Sequence, residues 1–179
     1  MNIYSVIFLI LFSFVSSQKL IHTEVYKNGN IKSISYHKKR MNKIEKVKYE
    51  EYFEAGRKYS DTRYKNGYVN GLMTFWYENG VKKEEITYSK GIEQGVHTWW
   101  YENGFVKSKG SYLNGMPQGF WVYYYKNGQK SGEGIIKDGK QDGLVKEWHS
   151  NGQVAEERLY KNGNFISKIE WSEDGSLKR

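Results

Sequence analysis

The sequence predicts an all-β protein: an elongated single-layer antiparallel sheet of tandem β-hairpin repeats of about 24 residues. Three observations carry this. The phrase Trp76-Tyr77-Glu78-Asn79-Gly80 returns 24 residues later as Trp100-Tyr101-Glu102-Asn103-Gly104. At the same step it recurs in weaker form as Tyr124-Tyr125-Lys126-Asn127-Gly128 and Trp148-His149-Ser150-Asn151-Gly152. A second set of turn glycines keeps the same period at Gly67, Gly91, Gly115, Gly139 and Gly163, each followed four residues on, except the last, by Gly71, Gly95, Gly119 and Gly143. Between the turns lie runs rich in Tyr, Trp, Phe, Val, Ile and Thr, the composition of strands. No stretch reads as a long helix.

Composition agrees with a packed rather than a disordered chain. Aliphatic residues are sparse, but aromatics reach 17%, with 16 Tyr and 6 Trp, and these large side chains supply buried area. With 28 Lys+Arg against 20 Asp+Glu, the net charge of +8 favours an anionic partner: acidic protein, acidic lipid or acidic glycan. The charges are interspersed, with no basic run beyond Lys38-Lys39-Arg40, so nucleic acid is not the expected partner. The chain has no cysteine, which excludes disulfides, thiolate metal sites and cysteine nucleophiles.

Taken in order, residues 1–17 read as a cleavable signal peptide. Met1 to Gln18 carry no charged side chain, Val6 to Phe12 is continuously apolar, and Val15 and Ser17 suit the positions before a cleavage site at Gln18. The chain is therefore expected to be exported, periplasmic, cell-surface or secreted, with an uncleaved membrane anchor as the alternative. Residues 18–51 form a degenerate N-terminal repeat or cap around Val25-Tyr26-Lys27-Asn28-Gly29, with Lys43 to Phe53 extended. Residues 52–170 hold the hairpin repeats, from Tyr52-Phe53-Glu54-Ala55-Gly56 onward. Residues 171–179, opening on Trp171-Ser172-Glu173-Asp174-Gly175, close the array as a partial repeat or cap. Each Asn-Gly is expected to make a tight type I′ turn, and the second turn a wider one.

Side chains alternate faces along a strand, so the strand entering each Asn-Gly turn can be split in two. One face carries Leu72/Thr74/Trp76, Val96/Thr98/Trp100, Phe120/Val122/Tyr124 and Leu144/Lys146/Trp148. An apolar residue and an aromatic recur there in every copy, so this face is expected to build the core. The other carries Phe75, Tyr77, Trp99, Tyr101, Trp121, Tyr123 and Tyr125. It is aromatic in the middle copies and fades to Glu147 and His149, as a binding patch does and a packing requirement does not. Those seven rings are the candidate binding site.

Catalytic and metal chemistry find no footing. His22, His37, His97 and His149 share no register and no metal-ligand spacing. Glu54, Glu78 and Glu102 recur in register, but equivalent residues of a hairpin array stand two strands apart, about 10 Å, beyond glycosidase carboxylate spacing. The glycines mark turns, not a phosphate cradle. No enzyme, cofactor or metal is expected.

The Trp/Tyr-Tyr-Glu-Asn-Gly units and the step from Gly95 to Trp100 resemble the bacterial variant of MORN repeats, over most of the chain from Val25 onward. The Asn-Gly turn and the 24-residue step separate them from aromatic cell-wall-binding repeats. The resemblance implies a single-layer sheet of hairpins. It also implies a role as an interaction or membrane-associated scaffold, some relatives being labelled antitoxins of toxin–antitoxin pairs. The expected function is an exported, non-enzymatic interaction module that binds a protein partner through the aromatic face. Binding of envelope glycan or anionic lipid, and antitoxin-like neutralisation of a partner, are the alternatives.

Overall fold

A computed structural model describes residues 6–8, 19–40 and 42–178, and every regular element among them is a β-strand. The expected leader lies outside the described residues apart from Val6–Phe8. The strands fall into two compact units, Met1–Ile92 and Glu93–Arg179. The first contains β1 (Val6–Phe8), β2 (Lys19–Val25), β3 (Ile31–Arg40), β4 (Lys43–Tyr52), β5 (Lys58–Lys65), β6 (Tyr68–Val69), β7 (Gly71–Trp76) and β8 (Lys82–Ser89). The second contains all but the first residue of β9 (Ile92–Trp100), then β10 (Val106–Leu113), β11 (Met116–Tyr124), β12 (Lys130–Lys137), β13 (Lys140–Gln141), β14 (Gly143–Trp148), β15 (Val154–Lys161) and β16 (Asn164–Glu170). In each unit sequential strands pair antiparallel in chain order, with β6 beside β5 and β13 beside β12 off the main path. Connections this short permit only antiparallel neighbours, so the predicted all-β, single-layer hairpin architecture is what forms.

The turns exchange the roles expected of them. At Asn79-Gly80 only the glycine is left-handed, with φ of 88°. Gly80 N–H donates to the Tyr77 carbonyl at 2.9 Å and Tyr77 N–H to the Val81 carbonyl at 2.8 Å. That is a three-residue loop, a type I turn closed by a glycine bulge. The Asn side chain decides it: Asn79 Oδ1 accepts from Val81 N–H at 2.9 Å, a bond that holds the asparagine right-handed. The two-residue type I′ turn instead sits at the second position, where Asn114 and Gly115 both have positive φ, 53° and 78°.

Packing follows a large-on-small rule across the strands. Incoming strands carry rings; outgoing strands place small residues beside them. Ser60 pairs with Phe75, Ser108 with Trp99 and Tyr123, Gly132 with Tyr123 and Gly134 with Trp121. The rings lie over these neighbours and bury them, leaving Ser60 1% exposed. A Cβ on Gly110 would lie 2.1 Å from Trp121 Cδ2, so the indole rests on bare backbone there.

The expected core face is corrected at its leading positions. Leu72, Val96, Phe120 and Leu144 are 46%, 49%, 55% and 42% exposed. The buried apolar side chains among the described residues are Ile86, Trp121 and Val145. Ile86 stands opposite Met73, and Trp121 and Val145 flank Gly134, so these three share the aromatic side of the strands. The physical reason is architectural. In a single layer no second sheet covers a face, so burial goes where rings cover small neighbours and not where aliphatic residues recur.

Candidate functional site

The predicted site residues divide between the units. In the first, Phe75 meets Tyr59 edge-on at 5.7 Å, and Tyr59 meets Phe53 at 5.1 Å. Tyr77 is half-buried, with Lys83 Nζ 5.7 Å from its ring centroid. In the second unit the structure brings the rings into a ladder. His97 stacks on Trp99 at 3.4 Å, Trp99 meets Trp121 at 5.9 Å, and Trp121 stacks on Tyr123 at 6.3 Å. Tyr112 closes on Trp121 from the side at 5.5 Å. His97, 3% exposed, and Trp121, 5% exposed, are the buried members and Tyr123, 43% exposed, is open. Burial raises the pKa of the Tyr123 phenol.

Tyr101 and Tyr125 use their hydroxyls to join repeats. Tyr101 donates to the Tyr124 carbonyl at 2.8 Å and Tyr125 to the Trp148 carbonyl at 2.5 Å. His149 takes this position in the last copy, its Nε2 2.8 Å from the Trp171 carbonyl. The turn asparagines run a parallel line of bonds, Asn103 Nδ2 to the Lys126 carbonyl at 2.7 Å and Asn151 Nδ2 to the Glu173 carbonyl at 2.6 Å. Backbone carbonyls at the turn register are what these bonds require. This is why Glu54, Glu78 and Glu102 give way to Lys126 and Ser150 without loss of the turn.

Beyond Tyr123 the ring ladder opens onto a depression of about 210 Å³. Its lining includes Trp121, Tyr123, Gly132, Gly134, Val145 and Glu147. It exists because β12 has no side chains at Gly132 and Gly134 between the rings of β11 and Val145 of β14. The seven expected site residues do not include these glycines or Val145, although Val145 lies on the same predicted face. The signal was present in the outgoing strands, where the two glycines replace Ser60, Glu84, Ser108 and Glu156 at one register and Thr62, Ile86 and Arg158 at the other. The rim charges are already paired. Glu147 bonds Arg158, Lys146 Nζ lies 2.7 Å from Glu157, and Lys130 Nζ 2.8 Å from Glu133.

A second polar feature also escaped the sequence reading. Glu50, 4% exposed, receives Lys58 Nζ at 2.5 Å, Tyr36 Oη at 2.6 Å and Lys48 Nζ at 2.9 Å, and Lys48 Nζ also reaches Asp61 at 3.0 Å. Burial pushes the Glu50 carboxyl up, but the hydrogen bonds from Lys58, Tyr36 and Lys48 outweigh it and hold its pKa down to about 2. Burial and the bond to Glu50 push the Tyr36 phenol up to about 12. The cluster is internally neutral and ties β3, β4 and β5 together. Among the described residues no group of three or more His, Asp or Glu is placed to hold a metal.

No curated protein matches the chain. The family model described as "MORN repeat variant" matches residues 69–90, 93–114 and 141–162. Each span runs from one type I′ turn to the next, with the three-residue loop at its centre. MORN repeats are non-catalytic modules that mediate protein or membrane-lipid interactions. Over those three spans the hairpins described above are thus similar to repeats of the MORN repeat variant family.

Proposed function

We propose that this chain is an exported, non-enzymatic interaction module that docks a protein partner on the aromatic face of its second unit. The observation that carries the reading is the ring ladder, packed at Trp121 and open at Tyr123 beside the depression. A half-buried, rigid aromatic at the mouth of a recess is the usual form of an interface anchor. The apolar run from Val6 to Phe12 supports export, and cleavage before Gln18 removes β1 and leaves β2 as the sheet edge. The test is capture from an envelope extract with residues 18–179, beside the Tyr123→Ala variant. A specific protein lost with the variant, whose circular dichroism stays β-like, is expected. Equal recovery by both chains overturns the reading. Export is checked by the mass of the mature chain, which is expected to begin at Gln18.

A second reading rests on the opposite face. Phe120 pairs with Ile135 and Leu144 with Leu159, and all four are exposed. Exposed Lys137, Lys140 and Lys161 border this apolar row at the type I′ turn ends. An apolar row with a lysine border suits an anionic bilayer surface. Sedimentation with phosphatidylglycerol vesicles but not with phosphatidylcholine vesicles, abolished by Phe120→Ser, is the expected result of that reading. Equal sedimentation with both vesicle types refutes it.

A further inference from the structure

We infer that the depression over Gly132 and Gly134 is an anchor pocket that takes one uncharged side chain, apolar or aromatic, of the protein partner. This rests on the docking reading above and names what the docking face recognises.

Size decides the class of occupant. About 210 Å³ is less than the roughly 300–1,000 Å³ of pockets that enclose a small molecule. It suits one large side chain delivered by a macromolecule. Shape agrees with this. The floor is the bare backbone of Gly132 and Gly134, one wall is the stacked pair Trp121 and Tyr123, and the other is Val145. An entering ring or branched aliphatic group meets apolar surface on both sides.

Charge decides the occupant's chemistry. Glu147, Lys146 and Glu133 stand at the rim, but each is engaged by Arg158, Glu157 or Lys130. A charged side chain entering here gives up its water and finds no free counter-charge, whereas an uncharged one loses nothing. Trp121 adds a polar handle. Its Nε1 is buried with no acceptor among the described residues, a donor available to a partner's carbonyl or hydroxyl if the indole shifts on docking.

The glycines make the pocket testable without touching the rings. A Cβ on Gly132 finds Tyr123 Cδ2 and the Lys146 carbonyl at 3.6 Å, ordinary contact, and the backbone there is not left-handed. Gly132→Val therefore fills the floor, and Gly132→Ala is the milder version. The probes are N-acetyl amides of tryptophan, leucine, lysine and glutamate, titrated to millimolar concentration against the 15N-labelled chain. The tryptophan and leucine amides are expected to shift the Gly132 and Gly134 amide resonances at least fivefold more than the charged amides do. Gly132→Val is expected to abolish those shifts. Equal shifts from charged and uncharged probes, shifts that survive in Gly132→Val, or no shifts at all would each overturn the pocket.

The capture experiment separates this from the broader reading. Partner kept by Gly132→Val but lost by Tyr123→Ala overturns the pocket and leaves the docking face standing. Partner kept by both overturns the face itself.

Discussion

Glycine does two opposite things in this chain, and neighbouring positions on the same side of the sheet separate them. Gly110 is required, because any Cβ there collides with the Trp121 ring, and Gly132 is permissive, because its Cβ finds only ordinary contact. Gly110→Ala is expected to lower stability by about 1–3 kcal/mol, the usual effect of forcing a packed side chain aside. Gly132→Ala is expected to be neutral or to stabilise by about 0.5–1 kcal/mol, because the unfolded chain loses freedom and the strand keeps its conformation. Urea unfolding midpoints at unchanged slope measure both, and equal effects at the two positions would contradict the packing described. The repeat period alone does not distinguish these residues. Gly110 and Gly134 occupy the same register, one under the Trp121 ring and the other at its flank.

At the scale of the element, the hairpin is set by its turn chemistry and its burial by the strand opposite. The 24-residue step, the strand-forming runs and the turn positions were all legible in the sequence, because each depends on local conformational preference. Turn types were legible only in part. Asn-Gly appears at both turns of several copies, and what separates Asn79 from Asn114 is whether the side chain bonds the backbone two residues on. The leading aliphatic positions of the expected core face are exposed although Thr74 and Thr98 beside them are buried, because recurrence of aliphatic residues is a sign of core only where a second layer exists. A paired measurement checks the corrected faces. Trp121→Ala is expected to cost about 3–5 kcal/mol as a buried ring truncation. Phe120→Ala, one residue away and 55% exposed, is expected to cost less than about 1 kcal/mol. The reverse order would restore the original face assignment.

At the scale of the whole molecule, each unit is a set of strands bonded mainly to their neighbours in sequence, so stability is a sum of local interfaces. The Glu50 cluster makes one of those interfaces pH-dependent. Its folded pKa of about 2 lies below the ordinary 4.5, so its stabilisation is fully present above about pH 4.5 and is lost as pH falls toward 2. Tyr36, raised from 10 to about 12, contributes stability that is present below pH 10 and lost as pH rises toward 12. Hydrogen exchange in β3, β4 and β5 is expected to quicken at the acid end beyond the intrinsic pH dependence, and Glu50→Gln to flatten that acid limb. An acid limb unchanged in the variant would show that another carboxylate carries it.

The sequence by itself determined the all-β class, the hairpin period, the places where the chain turns and the row of aromatic residues. These are consequences of backbone preference and side-chain alternation, which act within a few residues. Tertiary structure alone decided which rings are covered, that Tyr101 and Tyr125 join repeats through their hydroxyls, and that two glycines on β12 open a recess beside Tyr123. Each of these depends on what the neighbouring strand places opposite. That is a matter of register and bulges between strands, and no single copy of the repeat contains it.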